Sequence, residues 1–149
     1  MSQLSQHFSL HEATFSARAQ RMGIDNSPNA EHLEAMKFTA GKMEIVREVL
    51  DNRPIYVTSW YRSVRLNAVT PGSSSTSQHS KGQAVDFICI GFGSPERICL
   101  ELRKHKDIIQ YDQLILEPGW VHISFVPVNP RMKELTYEAK NKYLPGLVV

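Results

Sequence analysis

The sequence predicts an α+β domain: a small, largely antiparallel sheet with helices packed on one face. Three observations predict it. Leu33, Met36, Ala40, Met43, Val46 and Leu50 recur at three- and four-residue spacing, the apolar stripe of an amphipathic helix. Residues 55–59 are β-branched and aromatic, and residues 84–90 form a nearly continuous apolar run of strand length. Finally, residues 114–116 and 120–126 flank a tight Pro118-Gly119 turn, a hairpin signal that makes at least part of the sheet antiparallel.

In chain order, Ser9-Leu10-His11-Glu12 fits a capping box, and a short helix is expected over about 10–21, ending near Gly23. Ser27-Pro28 reads as an N-cap followed by proline at the first helical position, opening the long helix that runs to about Leu50. Pro54 closes it, and strand 55–59 leads into Trp60-Tyr61-Arg62-Ser63. One helical turn is expected over 64–69, before a polar loop of Pro71, Gly72, three serines and Thr76. Strand 84–90 is broken by Gly91-Phe92-Gly93. Ser94-Pro95-Glu96 then starts a capped helix with Ile98, Cys99 and Leu102 on its inner side. The charge run 104–107 reads as an exposed helix end. The tail from Pro130 carries Tyr137, Tyr143 and a final Leu-Val-Val, and the sequence assigns it no element. The expected organisation is one domain over 1–149, with a core of about 8–126 and a C-terminal tail over 127–149.

Composition narrows the function classes. With 42% hydrophobic and 21% charged residues, the chain is neither a disordered segment nor a fibre. A net charge of +2 is too small to predict a nucleic-acid partner. The two cysteines, Cys89 and Cys99, make no disulfide framework and lack metal-motif spacing, so they read as buried thiols. The N-terminus has neither a basic n-region nor an apolar h-region, and no apolar run approaches bilayer length. A monomer made in the cytoplasm without a signal peptide, and not inserted in a membrane, is expected.

The densest polar constellation is residues 77–86, S-Q-H-S-K-G-Q-A-V-D, at the junction of a loop and a strand. Gly82 lets the backbone turn sharply between His79 and Asp86. Asp86 opens an otherwise hydrophobic strand, where an unpaired carboxylate is costly to desolvate; a metal or an arginine would relieve that cost. In Trp120-Val121-His122-Ile123-Ser124-Phe125, side chains alternate between faces, so His122 points away from the core that takes Val121, Ile123 and Phe125. Two imidazoles and a carboxylate are a donor set of catalytic zinc, with a fourth position open for water. The expected metal site is therefore His79, Asp86 and His122, and its zinc cleft opens on the sheet face opposite the helices. Glu117, across the turn from His122, is the expected general base, and Arg62 the cation for a developing oxyanion. The structural alternatives are a satisfied Asp with an unrelated surface His, and plain salt bridges for Arg62 and Glu117. His7, His11, His32 and His105 lack partners at ligand spacing and read as solvated.

Ser77-x-His79-x-x-Gly82-x-Ala84-x-Asp86 resembles the signature of the zinc D-Ala-D-Ala carboxypeptidase family, which includes D,D-dipeptidases, L-alanoyl-D-glutamate endopeptidases and phage endolysins. Trp120-x-His122 is similar to its second metal motif. Thr58-Ser59-x-Tyr61-Arg62-Ser63 with Leu66-Asn67, and Phe8-Ser9-Leu10 with Asp25-Asn26, resemble segments of its small single-domain members, so the likeness covers about 8–125. The resemblance implies one zinc per chain on His79, Asp86 and His122, with Arg62 on the oxyanion or a substrate carboxylate and Ser77 in contact with substrate. It implies hydrolysis by a zinc-bound water of a peptide bond in bacterial peptidoglycan, in the stem peptide or a cross-link, as a D,D-carboxypeptidase or endopeptidase. The chain departs from the family in one place: the glutamate that well-understood members carry three residues before the last histidine is here Gly119, and Glu117 lies five before. The alternative is a non-catalytic zinc module that binds cell-wall peptide or forms part of a phage structure. With no signal peptide, action on the wall would follow release by a separate system, or take place from a virion.

Overall fold

The computed structural model describes residues 2–149. It opens with α1 (Leu10–Thr14), α2 (Ala17–Met22) and the long α3 (Ala30–Val49). β1 (Tyr56–Ser59), α4 (Val64–Ala68), a 3-10 turn (Gln78–Lys81) and β2 (Ala84–Ile88) follow. α5 (Pro95–Lys104), α6 (Lys106–Ile109), β3 (Gln113–Leu116), β4 (Val121–Ser124), β5 (Lys133–Ala139) and β6 (Lys142–Pro145) complete the chain. No helix among the described residues is long and apolar enough to cross a membrane.

Two helix boundaries differ from the sequence expectation, each because a nearby side chain caps better. The helix expected over 10–21 is two: the chain turns extended at Phe15, and the Ser16 side chain accepts from the Ala19 N–H to start α2. α3 begins after Asn29, whose side chain accepts from the His32 N–H, so Pro28 stands outside the helix rather than at its first position. The capping box at Ser9 and Glu12, the left-handed Gly23 cap and the Ser94-Pro95 start of α5 are all present. β2 stops at Ile88, and Ile90 is exposed.

The six strands form one open sheet in the order β1-β2-β4-β3-β5-β6. Every neighbouring pair is antiparallel except β3 with β5, which run parallel. Residues 133–145 of the tail thus extend the sheet. Period-two alternation divides its faces. Val85, Phe87, Val121 and Ile123 pack against Met36, Met43 and Val46 of α3 and Ile98, Cys99 and Leu102 of α5 in the main core. The opposite face carries Asp86 and His122, which are register partners. Cys89 and Cys99 are free and buried, and burial pushes the Cys99 thiol up to about 12, which makes it a packing residue.

Asp112, at the start of β3, ties three parts of this scaffold together. Its buried carboxylate accepts from the Arg131 backbone and guanidinium, with Nη2 at 2.7 Å, and from Gln78 Nε2 at 3.0 Å in the 3-10 turn. The hydrogen bonds from Arg131 hold its carboxyl below the ordinary aspartate value, against the opposing effect of burial. A depressed folded pKa contributes stability above the unfolded value and loses it as pH falls through the folded one. Asp112→Asn should therefore cost about 1–3 kcal/mol at neutral pH, with the gap to wild type closing below about pH 4. Urea titrations at several pH values check this, and a gap independent of pH would show that the charge contributes nothing.

Candidate metal centre

Four strands and one turn bring the cluster together. Ser59 of β1 is in register with Asp86 of β2, Asp86 with His122 of β4, and His122 with Ile115 of β3. His79 arrives from the 3-10 turn, which ends at Gly82 with φ +76°. A Cβ at Gly82 would lie 2.6 Å from Met36 Cγ and 2.9 Å from the His32 carbonyl, so both conformation and space demand glycine there. The Gly82 carbonyl accepts from Thr39 Oγ1 at 2.9 Å and Trp60 Nε1 at 3.2 Å, anchoring the turn to α3 and to the end of β1.

One donor atom from each of His79, Asp86 and His122 lies within 4.8 Å of the others. His79 Nε2 is 3.3 Å from Asp86 Oδ2, and His122 Nδ1 is 2.8 Å from Asp86 Oδ1. His79 Nδ1–H donates to the Trp60 carbonyl at 2.6 Å, because a carbonyl only accepts. The neutral ring then carries its lone pair on Nε2, aimed at a carboxylate oxygen, and two acceptors face each other across 3.3 Å. Either a proton or a metal cation must lie between them. Burial opposes the proton by pushing His79 below its ordinary value, although Asp86 pulls the other way. Burial also pushes Asp86 up, but the charge and hydrogen bonds of the two histidines outweigh it and hold the carboxyl well below its usual range. The arrangement fits a metal ion, with the Trp60 carbonyl setting the tautomer of the ring that faces it.

These three residues line a cleft of about 270 Å³ together with Arg62, Glu117, Trp120 and Tyr143. Arg62 Nη2 donates to Ser77 Oγ at 3.3 Å, while its buried Nε has no partner. Burial lowers the Arg62 pKa, and the Asp86 charge resists that. Ser77 accepts from the His79 N–H at 3.1 Å, so it also caps the turn. Glu117 borders the cleft despite its displaced spacing: Gly119 at φ +102° closes the turn, and the Glu117 N–H reaches the Trp120 carbonyl at 3.1 Å. Burial raises the Glu117 pKa, opposed by a hydrogen bond from Tyr143 and by His122. Tyr143 Oη lies 3.1 Å from both Glu117 oxygens and donates to them. Asp112 stands outside the cluster in its own ion pair. Of the histidines read as solvated, His7 pairs with Glu44 at 2.6 Å, His32 Nδ1 lies 3.1 Å from Tyr61 Oη and His105 Nδ1 lies 3.0 Å from the Glu101 carbonyl, so those three have partners.

Sequence reasoning missed two contributors. The Trp60 carbonyl acts through the backbone and has no residue signature. Tyr143 is visible as an aromatic in the tail, but only the parallel docking of β5 on β3 brings β6 to the cleft. In comparison with known proteins, the family model described as Peptidase M15 matches residues 6–124. No curated protein matches the chain. The β5–β6 hairpin lies beyond the matched span.

If this cluster holds the metal, purified protein should carry one divalent ion per chain and His79→Ala close to none, as measured by elemental analysis after dialysis. Thermal unfolding should also show the variant losing the stabilisation that added metal gives the wild type. An unchanged stoichiometry in His79→Ala would place the metal elsewhere.

Proposed function

Because the chain belongs to the peptidase M15 family, we propose that it is a zinc peptidase that hydrolyses a peptide bond in bacterial peptidoglycan, in the stem peptide or a cross-link. The observation that carries the metal assignment is the His79 lone pair held against the Asp86 carboxylate by the Trp60 carbonyl. His79, Asp86 and His122 would hold the ion. When bound, zinc supplies Lewis acidity for the scissile carbonyl and lowers the pKa of water.

The remaining chemistry falls to the chain's own groups. Glu117 is the carboxylate placed to take a proton from the attacking water and return it to the leaving nitrogen, and its raised pKa suits both halves of that exchange. Tyr143 donates to both Glu117 oxygens and so fixes which way the carboxylate faces. Arg62 would take the developing oxyanion or a substrate carboxylate. Its Nε and Trp120 Nε1 are buried donors without protein partners, and both residues line the cleft. Unpaired buried donors are costly, and the carbonyl and carboxylate oxygens of a bound peptide would satisfy them. Ser77 would steady Arg62 and border the substrate.

The test is to incubate the protein with purified peptidoglycan, with and without a chelator, and to identify the new termini by mass spectrometry. Chelator-sensitive release of new amino and carboxyl termini is expected; an inert wild type would favour a module that only binds cell-wall peptide. Glu117→Gln should keep its metal and its melting temperature while losing about two to four orders of magnitude in rate. Tyr143→Phe keeps the ring and removes only the hydroxyl. It should lower kcat by about tenfold with KM little changed, and have no further effect in the Glu117→Gln background. A Tyr143→Phe loss that persists undiminished in that background would mean the hydroxyl acts on something other than Glu117.

A further inference from the structure

Arg62 is the cation of the proposed reaction, yet little in the protein holds it. β1, which precedes it, carries an irregularity, a register shift against β2 between Val57 and Ser59, and such a bulge bends a strand just before the chain leaves the sheet. Past the sheet, the Arg62 N–H donates to the His79 carbonyl at 3.1 Å. Among the described residues its guanidinium makes one hydrogen bond, from Nη2 to Ser77 Oγ, and no ion pair. The place of Ser77 therefore decides the place of the guanidinium.

Ser77 follows the polar loop over 71–76, which cannot hold its shape by packing. All of its residues but Ser73 are exposed, and Pro71 alone offers apolar surface. Its conformation depends on hydrogen bonds, and these converge on Asn67 of α4. Asn67 Nδ2 donates to the Ser74 carbonyl at 2.8 Å, the same oxygen that accepts from the Ser77 N–H at 3.2 Å. The Asn67 carbonyl in turn accepts from Ser73 Oγ at 2.5 Å. Among the described residues, no other side chain outside the loop hydrogen-bonds residues 71–76.

Stability alone does not account for this residue. Asn67 is 4% exposed inside a helix, where asparagine is a weak former, and its Oδ1 is buried without a partner. An apolar side chain of similar size would remove that orphaned acceptor and its cost. What only the amide supplies is the donor to Ser74.

We propose that Asn67 is a positioning residue for the hydrolysis: its Nδ2 fixes the Ser74 carbonyl, that carbonyl fixes the Ser77 N–H, and the Ser77 hydroxyl holds Arg62 in the metal cleft. The inference rests on the peptidase reading and deepens it by naming what aims the cation. The same amide sets one lip of the cleft, which Pro71, Gly72 and Ser73 line together with Lys140 and Asn141 of the β5–β6 turn. Asn67 does not line the cleft itself and acts through the loop.

The test compares the wild type with Asn67→Leu, which keeps the size of the side chain and removes its amide. Amide hydrogen exchange read by NMR should show Ser73 and Ser77 exchanging about tenfold faster or more in the variant, with β2 and β4 unchanged. Metal content should stay at the wild-type value, and the melting temperature should fall by no more than about 2–4 °C, the effect of one hydrogen bond. On peptidoglycan, kcat should fall about 10- to 100-fold, the cost of a small misplacement, with KM changing less. Asn67→Asp, which keeps the shape and replaces the donor by an acceptor, should give the same changes. In a Ser77→Ala background, where Arg62 is already released, Asn67→Leu should cost no further kcat. Unchanged exchange at Ser77, or an equal loss of kcat in both backgrounds, would overturn the assignment and leave the peptidase reading intact. An inert wild type would overturn the peptidase reading, and exchange alone would then decide whether Asn67 holds the loop.

Discussion

At the centre of the open sheet face, a carbonyl oxygen, an imidazole and a carboxylate stand in a row that is complete only with a cation. The Trp60 carbonyl takes the Nδ1 proton of His79, and the free nitrogen on the far side meets Asp86. Each neighbouring feature serves that alignment. β1 ends at Ser59, so Trp60 can turn inward, and its indole donates to the Gly82 carbonyl, fixing the turn that carries His79. Thr39 of α3 makes the same contact from the core side. Asp86 is held by strands on both sides, and neither histidine could shift without stranding a buried charge. The helical core is the platform on which this contact is braced.

The clustering of His79, Asp86 and His122 was legible because the local pattern around each residue turns it toward the same face. His122 was placed by alternation, since Val121, Ile123 and Phe125 could only face the core. His79 and Asp86 were placed by a turn glycine between them and an apolar strand after them. Side-chain chemistry at fixed spacing survives in a sequence; backbone chemistry does not, which is why the Trp60 carbonyl had no trace there. The tail was illegible for a different reason. β5 pairs in parallel with β3 across an intervening hairpin, and no local pattern encodes a register set by so distant a partner. Without that register, Tyr143 could not be connected to Glu117. The start of α3 differs through competition, since Ser27 and Asn29 are both good caps and tertiary context takes Asn29; Ser9 and Ser16 both cap, which splits the first helix in two.

Glu117 shows how spacing rules bend. Glu117 lies five residues before His122 yet borders the same cleft, because the Pro118-Gly119 turn folds the end of β3 back beside the start of β4. The cleft wall opposite comes from a hairpin beyond the span that the family model matches. The span that the family model matches therefore carries all three candidate donors, while β5 and β6 beyond it bring Tyr137 and Tyr143 to the cleft.

The irregularity in β1 has an effect far from any substrate. An open sheet has two edges whose unpaired N–H and C=O groups invite a strand from another molecule, and here these edges are β1 and β6. β1 offers only four residues and breaks its own spacing within them. β6 is equally short, begins with a lysine and ends with a proline that has no N–H to give. Neither edge can template a long, flat ladder, so crowded copies of the folded chain lack a route into fibrous aggregates through this sheet.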